Sequence, residues 1–164
     1  MNGITQFLQL FNPYPGNTFL EVSSGVCEIS FALQSLLNEK ESKLNLIIYG
    51  QEDETLKEQF PNSKIQYIED IKKPFRVSPR SVDIIVLKNI FNQHQKNEAL
   101  LKISYTALAN AADIIIIEKK GTIDKTAMYE LLENNESRAA NFIDIFPNYD
   151  LVMAKKMHMW GNGL

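Results

Sequence analysis

Hydrophobic and polar residues along this chain fall into blocks that switch between strand and helix periodicity. A short apolar strand spans residues 19–22. Helical spacing follows over 28–40, where Ile29, Ala32, Leu33, Leu36 and Leu37 share one face. Residues 44–49 read as a buried strand closed by Gly50, and 52–60 as a short acidic helix stopped by Pro61-Asn62. A third strand covers 64–68, and a basic loop covers 71–80. Residues 82–87 are apolar but for Asp83, the mark of a strand buried on both faces. A helix over 92–108 turns Ala99, Leu100, Ile103 and Ala107 inward. The strongest strand is 113–117, and a helix over 122–139 follows it, with Asp124 in the first turn where a carboxylate suits the helix dipole.

The ending breaks this alternation. Strands over 141–146 and 149–158 are separated only by Pro147-Asn148, and so short a connection makes an antiparallel hairpin. Alternating strands and helices followed by a hairpin predict an α/β fold. The sheet is doubly wound, mostly parallel and seven-stranded, with a C-terminal antiparallel hairpin. No repeat or low-complexity tract interrupts it, so residues 1–164 are expected to form one domain. A domain of this size buries roughly 70% of its unfolded surface.

Composition narrows the picture. With 45% hydrophobic residues the chain is an ordinary globular one. A net charge of -3 gives no general attraction to polyanions, so nucleic acid is not an expected partner. The single cysteine, Cys27, excludes an internal disulfide and a cysteine zinc cluster. Residues 1–10 carry no basic residue and no long apolar run, so they do not read as a signal peptide. No stretch has the length of a transmembrane helix, and a cytoplasmic protein without a membrane partner is the expectation.

Candidate chemistry concentrates in Thr18-Phe19-Leu20-Glu21-Val22, Ser23-Ser24-Gly25-Val26-Cys27 and Glu28-Ile29-Ser30. A strand ends near an acid, passes a turn of small residues and enters a helix. In doubly wound sheets that is where a nucleotide is held. Further along come Ile68-Glu69-Asp70-Ile71, Lys73-Pro74-Phe75, Ser81-Val82-Asp83-Ile84-Ile85-Val86, Asn89-Ile90-Phe91 and Leu108-Ala109-Asn110. In this order and spacing, over about 19–156, the chain resembles the class I S-adenosylmethionine-dependent methyltransferases, in the small branch with little or no substrate-capping domain.

The resemblance implies a cofactor, S-adenosylmethionine, and a site. On the family's acid followed by Gly-x-Gly-x-Gly fall Glu21, Ser23, Gly25 and Cys27. The glycines of that motif let backbone approach the methionine part. Asp70 falls where an acid reaches the adenine, with Glu69 competing for the role. Lys88 and Asn89 end the fourth strand, where the family meets the reacting atom; Lys88 is placed with the cofactor and Asn89 with the substrate. The acid that grips the ribose is absent at Gly50-Gln51 or displaced to Glu52 or Asp53. The implied reaction is in-line methyl transfer to an acceptor the residues do not identify. Such catalysis is largely positioning, and no catalytic residue is assigned.

Two functional readings stay open: an active methyltransferase, and a non-catalytic methyltransferase-like scaffold or protein-interaction domain. The lost glycines and the missing ribose acid favour the second. A nicotinamide-binding domain is weaker, because Gly-x-Gly-x-x-Gly is absent. The Asn-Pro-Pro-Tyr signature of amino-group DNA methylation is also absent. Cys27 reads as a small buried residue rather than a nucleophile. His94 reads as an exposed helix residue, with no metal spacing to His158. Lys72, Lys73, Arg76 and Arg80 around Phe75 read as a solvated loop, or as a receiver for a phosphate or base. Met157, Met159 and Trp160 are expected to pack on the last strand or cover a sheet edge.

Overall fold

In the computed structural model, residues 2–94 and 96–157 are described. The chain runs α1 (Ile4–Leu8), β1 (Thr18–Ser23), α2 (Glu28–Glu39), β2 (Lys43–Tyr49), α3 (Leu56–Gln59), β3 (Ile65–Ile68) and β4 (Val82–Lys88). It continues α4 (Asn97–Ala107), β5 (Leu108–Lys119), α5 (Lys125–Asn134), β6 (Ser137–Phe142) and β7 (Tyr149–Lys156). The strands form one seven-stranded sheet in the order β3-β2-β1-β4-β5-β7-β6. Strands β1 to β5 pair in parallel, whereas β7 is antiparallel to both β5 and β6. This is the doubly wound, mostly parallel α/β sheet with a C-terminal antiparallel hairpin that the alternation predicts. The strand order reverses between β1 and β4, so a crevice opens at their carboxyl ends.

Alternation along the strands divides the core in two. Phe19, Ile84, Val86, Ile115 and Ile117 face a layer holding Phe7 of α1 and Ile29, Leu33 and Leu37 of α2. Leu20, Val22, Ile85, Leu87, Ile114 and Ile116 face Leu100 and Leu101 of α4 and Met128 and Leu132 of α5. Central strands covered on both faces cannot alternate with polar residues, which is why 84–87 and 114–117 read as unbroken apolar runs. No helix among the described residues is long and apolar enough to cross a membrane.

The helices are shorter than their sequence patterns. Asp53 accepts from the Thr55 N–H and hydroxyl, so a turn replaces the first part of the acidic helix and only α3 remains. Residues 91–93 form a turn, with His94 N–H donating to the Ile90 carbonyl at 2.9 Å, and α4 starts at Asn97. Asp124 is the N-cap of α5 and accepts from Ala127 N–H at 3.0 Å, one position outside the first turn. The segment read as the end of that helix is instead β6: Ser137 and Arg138 pair with Lys156 and Lys155, and a register shift precedes Asn141. The hairpin connection is therefore residues 143–148, not Pro147-Asn148 alone. Its Phe146 packs 5.4 Å from the Phe7 ring, which anchors the unanticipated α1. Met157 is exposed, while His158, Met159 and Trp160 lie outside the described residues.

Candidate functional site

The site begins at the carboxyl end of β1. Glu21 shares its face with Phe19 and points under the amino end of α2. Lys88 ends β4 beside Ser23 in register, on that same face. Both are fully buried, and Lys88 Nζ lies 3.4 Å from Glu21 Oε2. The ammonium also donates to Ser30 Oγ at 2.9 Å and to Cys27 Sγ at 3.1 Å, so its three protons have three partners. Ser30 Oγ in turn donates to Glu21 Oε2 at 2.7 Å and accepts from Cys27 N–H at 3.1 Å. A buried charge pair is tolerable only with such surrounding hydrogen bonds. One atom is left out: Glu21 Oε1 is buried with no hydrogen-bond partner among the described residues.

Above this cluster runs the loop of small residues. Ser23 Oγ donates to the Gly25 carbonyl at 3.0 Å and accepts from Gly25 N–H at 3.2 Å, closing the turn on itself. Gly25 has φ +157°, and a side chain there would meet nothing within 4 Å, so the space above it is open. That space is a cavity of about 290 Å³ lined by Ser24, Gly25, Gly50, Gln51, Asp53 and Tyr67. Hydrogen bonds from Thr55 hold the exposed Asp53 carboxyl below its ordinary value, so Asp53 is a carboxylate at neutral pH. Across Tyr67 lies a second depression of about 460 Å³, lined by Glu69, Asp70, Lys73 and Arg76 among others. Asp70 Oδ1 accepts from Lys72 N–H at 2.9 Å, which shapes the turn after β3.

Beyond β4, Asn89 adopts φ 55°, a left-handed conformation that asparagine tolerates better than most residues. It lines a cavity of about 490 Å³ with Lys119, Lys120, Pro147, Asn148 and Tyr149. The turn that follows Asn89 is pinned by Glu118, the buried acid near the end of β5, which accepts from Phe91 N–H at 3.0 Å. Burial raises the Glu118 carboxyl above its ordinary value, partly offset by these backbone donors.

No family model matches the chain, and no curated protein is similar to it in sequence. Solved structures are similar in fold. A SAM-dependent methyltransferase from Aquifex aeolicus superposes with a TM-score of 0.74 at 19% identity, over 95% of this chain and 90% of that one. A TehB-like SAM-dependent methyltransferase from Corynebacterium glutamicum gives 0.70 at 16% identity, over 95% and 88%. The phosphoethanolamine N-methyltransferase 2 of Haemonchus contortus, in complex with S-adenosyl-L-methionine, gives 0.70 at 11% identity, over 94% of this chain and 52% of that one. The chain has the class I methyltransferase fold.

Within that fold, the residues singled out by sequence separate into two layers. Glu21, Ser23, Cys27 and Lys88 come together beneath the loop, where Ser30 joins them. Gly25 is at the surface of the loop, and Asp70 and Asn89 line separate depressions along the edge. Ser30 escaped sequence reasoning although it stands three residues after Cys27, the spacing at which a side chain reaches back to a helix N-cap.

Two further residues were misjudged. His94 is 2% exposed rather than solvated, because it precedes α4 and tucks its ring 6.0 Å from that of Tyr49, edge to face. Tyr49 donates its hydroxyl to the Lys73 carbonyl at 2.7 Å, and burial pushes its pKa up to about 12. Together they hold down the connection between β3 and β4. Phe75 in that connection is in the core, so its ring is not available to stack on a base. No group of three or more histidine, cysteine, aspartate and glutamate side chains among the described residues is arranged to hold a metal ion.

Proposed function

We propose that this chain binds S-adenosylmethionine along the carboxyl edge of β2, β1 and β4 and transfers its methyl group to an acceptor meeting Asn89. The observation that carries the reading is the open cavity at Gly25. In a methyltransferase fold it lies at the carboxyl ends of β1 and β2, beside the strand-order reversal at which such sheets bind ligands. The residues fit the cofactor at the points where the sequence departs from the family. Ser23 occupies a glycine position but turns its hydroxyl into the loop rather than into the cavity. Cys27 replaces another glycine, and its sulfur turns inward to Lys88.

When bound, the cofactor supplies an electrophilic methyl on a sulfonium. The chain's own part is positioning, the main source of rate in a two-reactant transfer. Gly25 would allow close backbone approach, Asp53 would take ribose hydroxyls and Asp70 an adenine amino group. Asn89 would orient the acceptor through its amide. Glu21, Lys88, Ser30 and Cys27 would fix the loop from below, with Glu21 Oε1 available to a donor entering beneath it.

A second reading, a scaffold without cofactor, is favoured by one specific observation. Gly25 N–H, a donor that a ligand at the loop would need, already donates to Ser23 Oγ. Calorimetric titration with S-adenosylmethionine and S-adenosylhomocysteine separates the two. The enzyme reading expects saturable binding that Gly25→Arg abolishes by filling the open space. Absence of heat and of any thermal shift at millimolar ligand would overturn it and leave the scaffold.

A further inference from the structure

The connection from β3 to β4, residues 69–81, contains no helix. Its Phe75 is buried against the sheet face that α4 and α5 cover further along. The starts of β1, β2 and β3 on this face receive no such cover. A groove of about 490 Å³ lies there, at the opposite end of the strands from Gly25. Along β1 the two ends are about 17 Å apart for a strand of six residues.

The polarity of the groove follows from the alternation of the strands. Thr18 precedes the core residue Leu20 by two, Asn45 precedes Ile47 by two, and Gln66 precedes Ile68 by two, so each shares the face of an apolar residue. Polar side chains thus stand where a covering helix would require apolar ones. Lys43, Lys64 and Arg76 also line the groove, and none of their charged groups has an ion-pair or hydrogen-bond partner among the described residues. No carboxylate and no aromatic ring lines it. The neighbouring Asp83 carboxylate is held by Thr18 N–H at 2.8 Å. In a chain of net charge -3, this is a local reversal of sign.

We infer that this groove binds a small phosphorylated polyol. Three unpaired cations suit a phosphate, which arginine and lysine bind through charge-assisted hydrogen bonds. Amides and hydroxyls from Asn45, Gln66, Thr18 and Ser78 suit the hydroxyls of a sugar. The missing aromatic removes the stacking platform on which a nucleobase or single-stranded nucleic acid would rest. The volume lies in the range of roughly 300–1,000 Å³ usual for small-molecule sites.

Two-dimensional amide NMR of the full chain, titrated separately with glucose-6-phosphate, inorganic phosphate, glucose and a single-stranded oligonucleotide, tests this. Glucose-6-phosphate is expected to give saturable shifts centred on Lys43, Asn45, Lys64, Gln66 and Arg76, with weaker phosphate binding and none by glucose. Arg76→Ala, an exposed change that leaves the core untouched, is expected to weaken the sugar phosphate about tenfold. Lys64→Ala, an exposed change at the opposite end of β3 from Asp70, is expected to weaken the sugar phosphate similarly and to leave any S-adenosylmethionine binding unchanged. Non-saturating shifts spread over all lysines would overturn the proposal as general ionic screening. So would saturation by the oligonucleotide without a response to glucose-6-phosphate, or unaltered affinity in Arg76→Ala.

Discussion

Lys88 is the residue whose character differs most between sequence and structure. At the end of an apolar strand it looks like a cation delivered to the site edge; it is instead fully buried against Glu21. Sequence position located both ends of this pair, because each closes a strand of the central sheet. What it did not show is their direction, which depends on sheet register: Ser23 is opposite Lys88 and Glu21 opposite Val86, so acid and cation lie on one face two residues apart. Their attraction matters less than the cost of separating them. Lys88→Met leaves a carboxylate buried without its countercharge and is expected to destabilise the fold by about 3–5 kcal/mol. Adding Glu21→Gln to that variant removes the stranded charge, so the double variant should be more stable than Lys88→Met alone. Urea unfolding of the wild type and the three variants measures this coupling. A double variant as unstable as the sum of the singles would show that the pair does not interact as the geometry requires.

At the scale of elements, the parallel strands were legible and their helices only partly so. Strands β2, β4 and β5 announce themselves through the apolar runs 46–49, 84–87 and 114–117, because burial on both faces excludes polar residues there, and β1 is legible from Phe19, Leu20 and Val22 around Glu21. Helix boundaries depended on local side chain–backbone bonds that compete with helix, as at Asp53 and in the turn at 91–94. The hairpin was recognised, but β6 lies earlier than its apolar residues suggest, because backbone pairing with Lys155 and Lys156 decides it. The turn before α4 also carries a pH-dependent contact between elements. His94 Nδ1 accepts from Lys96 N–H at 3.2 Å, and the ring packs on Tyr49 of β2. Burial, chiefly, holds its pKa below the ordinary 6.5, with the nearby Lys96 charge adding and backbone contacts to Lys73 and Lys96 opposing. The unfolded chain therefore binds a proton before the folded one does. The stability from a neutral His94 is present above about pH 6.5 and is lost as pH falls from there through the depressed folded value. His94→Gln should flatten that part of the profile, seen as a smaller drop in melting temperature between neutral and mildly acidic pH. An unchanged slope would mean that His94 titrates freely in the fold.

At the scale of the whole molecule, the antiparallel strand β7 joins the parallel sheet to its last parallel-running member. β6 reaches the sheet only through β7, which is inserted between it and β5. β7 must therefore satisfy two ladders of backbone hydrogen bonds and two apolar layers. Val152 contributes to the layer of α4 and α5, Leu151 to the layer of α1 and α2, and each is 1% exposed. A charge placed at Val152 has no route to solvent. Burying an unpaired carboxylate costs several kcal/mol, and a domain is stable by only about 5–15 kcal/mol. Val152→Asp is thus expected to abolish the cooperative unfolding transition at neutral pH, with loss of near-ultraviolet circular dichroism. Met157→Asp, an exposed change one residue past the end of β7, should leave the transition within a degree or two of the wild type, since surface substitutions usually shift stability by less than about 0.5 kcal/mol. If Val152→Asp also melted cooperatively near the wild-type temperature, β7 would not be the strand that ties β6 to the core. The carboxyl edge near Asn89 would then be walled by something other than the 143–148 connection that β7 holds in place.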